Sequence, residues 1–490
     1  MAKHLILDIL DRASRLPDNW LIGFDSSEVA RIAEQKFNNL TQIASSKTPP
    51  KILIAEREPV QFIASFLAGC AAGCHVFLCN PNWVKQEWQQ VFDLVNPDII
   101  WGETVEFEKS NCQLPIINYQ LPITNSSLIM IPTGGSSGKI RFAIHTWETL
   151  MASIQGFTEY FQVSQINSFC VLPLYHVSGL MQFMRSFTTS GKLAIASFKA
   201  IESGGNKCDI DPEYFFISLV PTQLQRLRQN PDIANWLSRF HTVLLGGAPA
   251  WDSLLEEARR DRIRLAPTYG MTETASQIAT LKPEDFLAGN NSYGQILPHA
   301  QVTISGKDSE KLGNCQVGSI TIKAKSLALG YYPEMFANRD SFQPDDIGYF
   351  DERGYLHIAG RSSDKIITGG ENVFPAEVEA AIKATGLVRD VCVIGLADTY
   401  WGQVVIAIYV PINSEIDTGE LTTAIEDKLS KFKRPKYWVS VESLPRNAQG
   451  KFNREVLREI AIAFLNYMTY KNDPPLAPPC KGEEPEKPAF

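Results

Sequence analysis

No stretch of the 490 residues reaches the ~18 uninterrupted apolar positions that a membrane-spanning helix needs. The opening "MAKHLILDILDRASRLPDNW" has only a short apolar run, broken by aspartates, which is a poor secretory signal. Positive charge is not in excess either. The formal net charge is −8 at pH 7, so no general basic surface argues for nucleic acid or an anionic membrane. Nine cysteines are too sparse for a disulfide scaffold. These absences lead to the expectation of a cytoplasmic protein with no nucleic-acid partner and no integral membrane segment. A homo-oligomer is compatible with them.

What is present is ordinary for a globular enzyme: 44% hydrophobic and 20% charged residues, in a chain long enough for several cores. The tightest cysteine group, Cys70, Cys74 and Cys79 in "LAGCAAGCHVFLCNPNW", includes His75 and raises the question of a metal. Its C-x3-C-x4-C spacing is not that of a zinc knuckle, and a helix followed by a strand would aim the sulfurs apart. Core cysteines are the expectation.

Strand-like runs ("KILIAE", "HVFLCN", "DIIWG", "SLIMIP", "FCVLPL", "KLAIAS", "YFFISLVP", "TVLLGG") alternate with amphipathic helical patterns, which predicts α/β architecture with mainly parallel sheets. After about residue 290, "QVTISG", "GSITIKAKS" and "GYLHIAG" read as antiparallel sheet. From about 365 a small α+β unit begins. In it "PAEVEAAIKATG" is a helix led by Pro375 and closed by Gly386, and "TGELTTAIEDKLSKF" is a second helix. The expected division is a large domain over 1–363, a small domain over 364–468 and a disordered proline-rich tail over 469–490.

The segment "LIMIPTGGSSGKIRFAIHTW" (128–147) carries the chemistry. Glycine and serine N–H groups between a strand and a helix can wrap an anion, with Lys139 and Arg141 adding positive charge. It is not a Walker A loop: Thr133 stands where the first glycine belongs, and Ile140 follows the lysine. "APTYGMTETASQ" (266–277) groups an aromatic ring, a threonine and Glu273. "FQPDDIGYFDERGYLHIAGRSSDKIITGGENVFPAEVE" packs acidic residues, Arg361 and a Gly-Gly pair near the domain boundary. "LPRNAQGKFNREVL" presents Lys451 after a glycine turn.

In this order and spacing, the segments resemble the adenylate-forming superfamily of acyl-CoA synthetases, luciferases and peptide-synthetase adenylation domains, over roughly residues 25–465. "TGGSSGKIR" is similar to its T-S-G-T-T-G-K-P-K, "YGMTE" to its Y-G-x-T-E, and "NAQGKFNR" to its terminal lysine motif. Ile140 and Phe142 depart from the usual Pro and Gly, and "PDD" (344–346) keeps only the last residue of the usual T-G-D.

The resemblance implies ATP, Mg²⁺ and CoA as reactants, and a fold of α/β subdomains plus a β-rich subdomain, followed by a small mobile domain. It implies that Thr133, Ser136, Ser137, Gly138 and Lys139 cradle the β- and γ-phosphates. Thr272 would serve phosphate and Glu273 the metal. Tyr269 and Gly270 would frame the adenine with Gly246, Gly247 and Ala248, while Asp346 would hold the ribose with Arg361 alongside. Lys451 would bridge to the α-phosphate. The small domain would rotate about Asp364, bringing Gly369 and Gly370 to the thiol tunnel. His176 would orient the acid or gate the thiol.

A second layer of resemblance lies in "LPLYHVSGLMQFMRSF", "SLVPTQLQRL" and "YGMTETASQIATL". It points to the quinone-biosynthesis branch (menaquinone and phylloquinone), whose acid is an aromatic dicarboxylate. Such a pocket needs an apolar slot and a cation for the carboxylate that does not react. If "GLMQFMRSF" is helical, Leu180, Phe183, Met184 and Phe187 form an apolar stripe, with Gln182, Arg185 and Ser186 off it. Arg185 is then the candidate cation and Arg226 a weaker one. Ser276 and Gln277 would border the acid, and His145 would help start the following helix. The alternatives are an aryl- or fatty-acyl-CoA synthetase of other specificity and a non-catalytic acyl-binding relative.

Overall fold

The structure is a computed structural model, and it describes residues 2–43, 49–104, 127–134, 140–205, 208–306, 308–368, 371–398, 401–413, 416–446 and 452–472. An eight-stranded sheet begins with six parallel strands, in the order Leu21–Ile22, Leu193–Ile195, Asn167–Cys170, Phe215–Leu219, Thr242–Leu245 and Leu265–Met271. Their near-continuous apolar sequences suit strands covered on both faces. Ser276–Thr280 and Gln295–Ile296 then extend it in antiparallel sense.

A seven-stranded sheet has Lys51–Ala55, His75–Leu78, Ile99–Gly102 and Leu128–Gly134 in parallel. Here the structure corrects the strand-to-helix reading of the glycine-serine loop. Leu128–Gly134 pairs antiparallel with Ile140–Thr146, from Leu128 opposite Thr146 to Gly134 opposite Ile140. Residues 135–139 therefore join two strands. "IRFAIHT" alternates and buries Phe142 and Ile144, so it completes the sheet before any helix can begin. The helix Trp147–Phe161 starts only after it. Thr146 caps that helix, its hydroxyl accepting from the Thr149 N–H at 3.3 Å.

As expected, the segment after 290 forms a four-stranded antiparallel sheet of Ala300–Ser305, Gly318–Ala324, Asp346–Phe350 and Leu356–Arg361. The last unit is a five-stranded sheet built on the long hairpin Val388–Asp398 and Gly402–Pro411. The helix Pro375–Lys383 packs on it through Val378 and Ile382. The second helix is shorter than the sequence pattern predicts, Thr418–Ala424. Ile425 leaves the helix at φ −107°, and it and Leu429 turn into the core. The final helix, Arg454–Asn472, runs past residue 468, and residues 473–490 lie outside the described residues.

Cys70, Cys74 and Cys79 are buried, and burial pushes their thiols up, Cys74 to about 12. They are core residues. No three His, Cys, Asp or Glu side chains gather as metal ligands among the described residues. None of the described helices is long and apolar enough to cross a membrane.

Candidate active site

The parallel strands of the large sheet end at a common edge, where ligands of open α/β sheets gather. Leu245 lies opposite Pro267 there, so the Gly246–Gly247–Ala248 turn comes beside Thr268 and Tyr269. The approach is close: a Cβ on Gly246 would lie 2.5 Å from the Thr268 hydroxyl. Tyr269 is buried and donates its hydroxyl to Asp346 Oδ2 at 2.7 Å. Arg361, opposite Asp346 in the antiparallel sheet, approaches Oδ1 with Nε at 3.4 Å. The structure thus brings Tyr269, Asp346 and Arg361 together from two sheets. Burial and the Asp346 charge hold the Tyr269 phenol neutral.

After Tyr269 the register shifts, and the chain turns tightly through Thr272–Thr274. A Cβ on Gly270 would lie 2.2 Å from the Ser276 carbonyl oxygen, so only glycine lets the two arms of the turn meet. The return arm holds two non-glycine residues at positive φ, Ala275 at 51° and Ser276 at 107°. Such strain persists only where its surroundings impose it, and it clusters at functional sites.

His145 holds this turn. Its Nε2 lies 2.8 Å from the Thr272 carbonyl oxygen and its Nδ1 3.0 Å from the Thr149 hydroxyl. The carbonyl can only accept, so Nε2 carries the proton and Nδ1 accepts from Thr149. Burial lowers its pKa to about 4, which keeps the imidazole neutral. His145 thus ties its following helix to the Thr272 turn. Glu273 is buried and accepts the Tyr331 hydroxyl at 2.6 Å on Oε1, and Arg141 lies over the Tyr331 ring at 4.3 Å. Thr133 faces Arg141 across the hairpin. Ser136, Ser137, Gly138 and Lys139 lie outside the described residues.

On the other side stands the helix Val177–Thr188, headed by His176. It is buried all round from Gly179 to Phe187, which corrects the one-stripe reading. Leu180, Phe183, Met184 and Phe187 enter the core, and the opposite face meets strand Ser276–Thr280 instead of solvent. Arg185, 3% exposed, donates through Nη2 to Ser276 Oγ at 2.9 Å and Gln277 Oε1 at 2.8 Å, and lies 4.2 Å over the Phe157 ring. Among the described residues no carboxylate pairs with it, and burial lowers its pKa to about 9. Arg226 instead pairs with Glu202 on the surface.

In the small unit, Asp364 pairs with Arg454 at 3.2 Å. Asp345 holds the preceding turn, its backbone carbonyl accepting from Ser362 N–H at 2.7 Å and its carboxylate from Ser363 N–H at 3.1 Å. Lys451, Gly369 and Gly370 lie outside the described residues. Tyr331, Asp345 and Arg454 were missed by sequence reasoning. Of these, Asp345 sits inside "PDD" and Arg454 closes "NAQGKFNR", motifs that could have flagged both, whereas Tyr331 lies in none.

The AMP-binding enzyme model matches residues 40–332, and the AMP-binding enzyme C-terminal domain model matches 377–451. The chain belongs to this family of AMP-binding enzymes. It is 36% identical over 291 residues to the 2-succinylbenzoate–CoA ligase of Oceanobacillus iheyensis, a match covering 58% of this chain and 60% of that protein. The matched part thus spans about three-fifths of that relative's length. The enzyme of the same name from Bacillus cereus is 33% identical over 482 residues, 92% of this chain and 98% of its own. Among solved structures, the o-succinylbenzoate CoA synthetase of Bacillus subtilis in complex with the acyl-adenylate intermediate OSB-AMP is similar, with a TM-score of 0.78 at 25% identity. That match covers 92% of this chain and 97% of the other.

Proposed function

We propose that this chain is a 2-succinylbenzoate–CoA ligase of menaquinone or phylloquinone biosynthesis, working in the cytoplasm. One carboxylate of the acid attacks the α-phosphorus of ATP; the acyl-adenylate forms and pyrophosphate leaves. The CoA thiol then attacks the acyl carbon, a C–S bond forms, and AMP leaves with the electrons of the broken C–O bond.

Each of the chain's groups has a part in this. Thr133, Ser136, Ser137, Gly138 and Lys139 bind the outer phosphates, and Arg141 adds charge beside them. Charge develops on phosphoryl oxygens, which preorganised donors and cations stabilise best. Tyr269, Gly270 and the Gly246–Ala248 turn frame the base. Asp346, already oriented by the Tyr269 hydroxyl and Arg361, binds the ribose hydroxyls. Glu273 fits a magnesium ligand: its carboxylate is buried, oriented by Tyr331, and in no ion pair among the described residues. Held there, a Mg²⁺ ion would supply positive charge against the phosphates. Thr272, held by His145, faces the same phosphates, and His176 borders the acid. Lys451 reaches the α-phosphate for the first step. Rotation of the small domain (364–468) against the large one (1–363) about Asp364 then exchanges it for Gly369 and Gly370.

The observation that carries the choice of acid is Arg185, a buried cation with no carboxylate partner among the described residues, oriented by Ser276 and Gln277. A monoacid leaves it uncompensated; an aromatic diacid supplies the missing charge. The test is acid-dependent exchange of labelled pyrophosphate into ATP, with 2-succinylbenzoate compared against benzoate, cinnamate and a medium-chain fatty acid. Exchange with 2-succinylbenzoate alone supports the reading, and faster exchange with a monoacid overturns it.

A further inference from the structure

Arg185 is paired through Nη2 alone. Among the described residues its Nε makes no hydrogen bond, nor do the Gln277 amide Nε2, the Ser186 hydroxyl, or either ring nitrogen of His299; all are shielded from solvent. Buried polar groups are nearly always paired, by protein, ordered water or a ligand, so these atoms call for a polar partner from outside the chain. His299 precedes the strand Ala300–Ser305; burial disfavours its protonated form, and the Arg185 guanidinium is near enough to add to that.

The helix Trp147–Phe161 explains how His299 gets there. Ser153 donates to the Ala275 carbonyl at 2.8 Å, Phe157 lies under Arg185, and the Tyr160 hydroxyl donates to the Thr280 carbonyl at 2.5 Å. These residues recur at helical spacing and face the strand that holds Ser276 and Gln277. Gly156 lies on this helix beside them. A Cβ there would come within 1.9 Å of His299 Nδ1 and 2.6 Å of Cγ. The missing side chain is the space the imidazole occupies. With its Nδ1 edge against the Gly156 backbone, the ring has Nε2 left for a ligand.

We propose that His299 is a specificity-determining residue, its Nε2–H donating to the same carboxylate that Arg185 binds, with Gly156 making room for the ring. Two donors from different subdomains then grip the non-reacting carboxylate, one a planar fork and one a single N–H. This rests on the diacid reading of the site.

Equilibrium binding in the presence of a non-hydrolysable ATP analogue tests it. The probes are 2-succinylbenzoate and two monoacids that each lack one of its carboxylates, 4-oxo-4-phenylbutanoate and 2-butanoylbenzoate. A hydrogen bond to a charged group is worth enough that His299→Ala should weaken 2-succinylbenzoate by about tenfold to a hundredfold. The monoacid that keeps the gripped carboxylate should weaken with it, and the other monoacid should be unaffected. His299→Gln, whose amide nitrogen falls near the position of Nε2, should recover most of the loss; His299→Asn should not. Gly156→Ala, which displaces the ring, should reproduce the His299→Ala pattern with ATP binding intact. Equal weakening of all three acids, or no weakening, overturns the proposal while leaving the substrate reading in place. Wild-type protein that binds the diacid no better than either monoacid removes the substrate reading, and this proposal with it.

Discussion

Replacing Arg185 by methionine should separate stability from specificity. Arg185 is 3% exposed, and its guanidinium makes two neutral hydrogen bonds and one ring contact, with no carboxylate to compensate it among the described residues. Removing it leaves little unsatisfied. Gln277 Oε1 keeps the Ser276 hydroxyl at 2.6 Å, and a thioether packs well against Phe157. The lost ring contact is worth about 2 kcal/mol in a dry site. Against it stands the relief of an unpaired buried charge, which apolar replacements of buried ions place at about 1–4 kcal/mol. Unliganded Arg185→Met protein should therefore unfold at the same denaturant concentration as wild type, or a higher one. The diacid complex loses its charge pair, an effect of ~3–5 kcal/mol. That corresponds to a rise in KM for 2-succinylbenzoate of roughly 150- to 5,000-fold. Steady-state AMP release and a urea titration read the two effects. A strongly destabilised variant with an unchanged KM would refute the reasoning.

Other consequences follow from the same geometry. Tyr331→Phe removes the hydroxyl that orients Glu273. It should raise the Mg²⁺ concentration needed for half-maximal adenylation about tenfold, and an unchanged Mg²⁺ titration would contradict that role. Asp364→Pro stiffens the proposed hinge and disturbs the pairing with Arg454; thioester formation should fall far more than pyrophosphate exchange, and equal loss of both would argue against a hinge. His75, His145 and His299 are held neutral by burial, each lowered from 6.5 to about 4. Between these values the unfolded chain binds more protons than the folded one. Stability should therefore fall as pH drops from 6.5 toward 4, by about 1.4 kcal/mol per pH unit for each histidine. Urea midpoints across that range, compared with a His145→Gln variant, measure the slope.

Much of the fold was legible because strand and helix periodicities are local. The runs "YFFISLVP" and "TVLLGG" announced buried parallel strands, and "QVTISG" with "GSITIKAKS" announced an antiparallel sheet. The hairpin at 128–146 was misread because a glycine-serine loop that binds anions is compatible with either a helix or a strand after it. Only the alternation in "IRFAIHT" distinguishes them. The helix Val177–Thr188 was misread for a different reason. Its polar face is buried against Ser276 and Gln277, contacts more than ninety residues away that helical periodicity cannot reveal. The same holds for Tyr331 on Glu273 and for His299 beside Gly156. Motifs place the groups that touch a ligand, while the residues that orient those groups come from elsewhere in the chain and carry no local pattern.

The central claim is the conversion of an aromatic diacid to its CoA thioester with ATP cleaved to AMP. Incubation of the full chain with ATP, Mg²⁺, CoA and 2-succinylbenzoate, followed by mass analysis of the CoA products, tests it most directly. The expected product is a 2-succinylbenzoyl-CoA thioester, formed one-for-one with AMP and absent when any reactant is omitted. AMP without thioester, or thioester formed only from a monoacid, would contradict it.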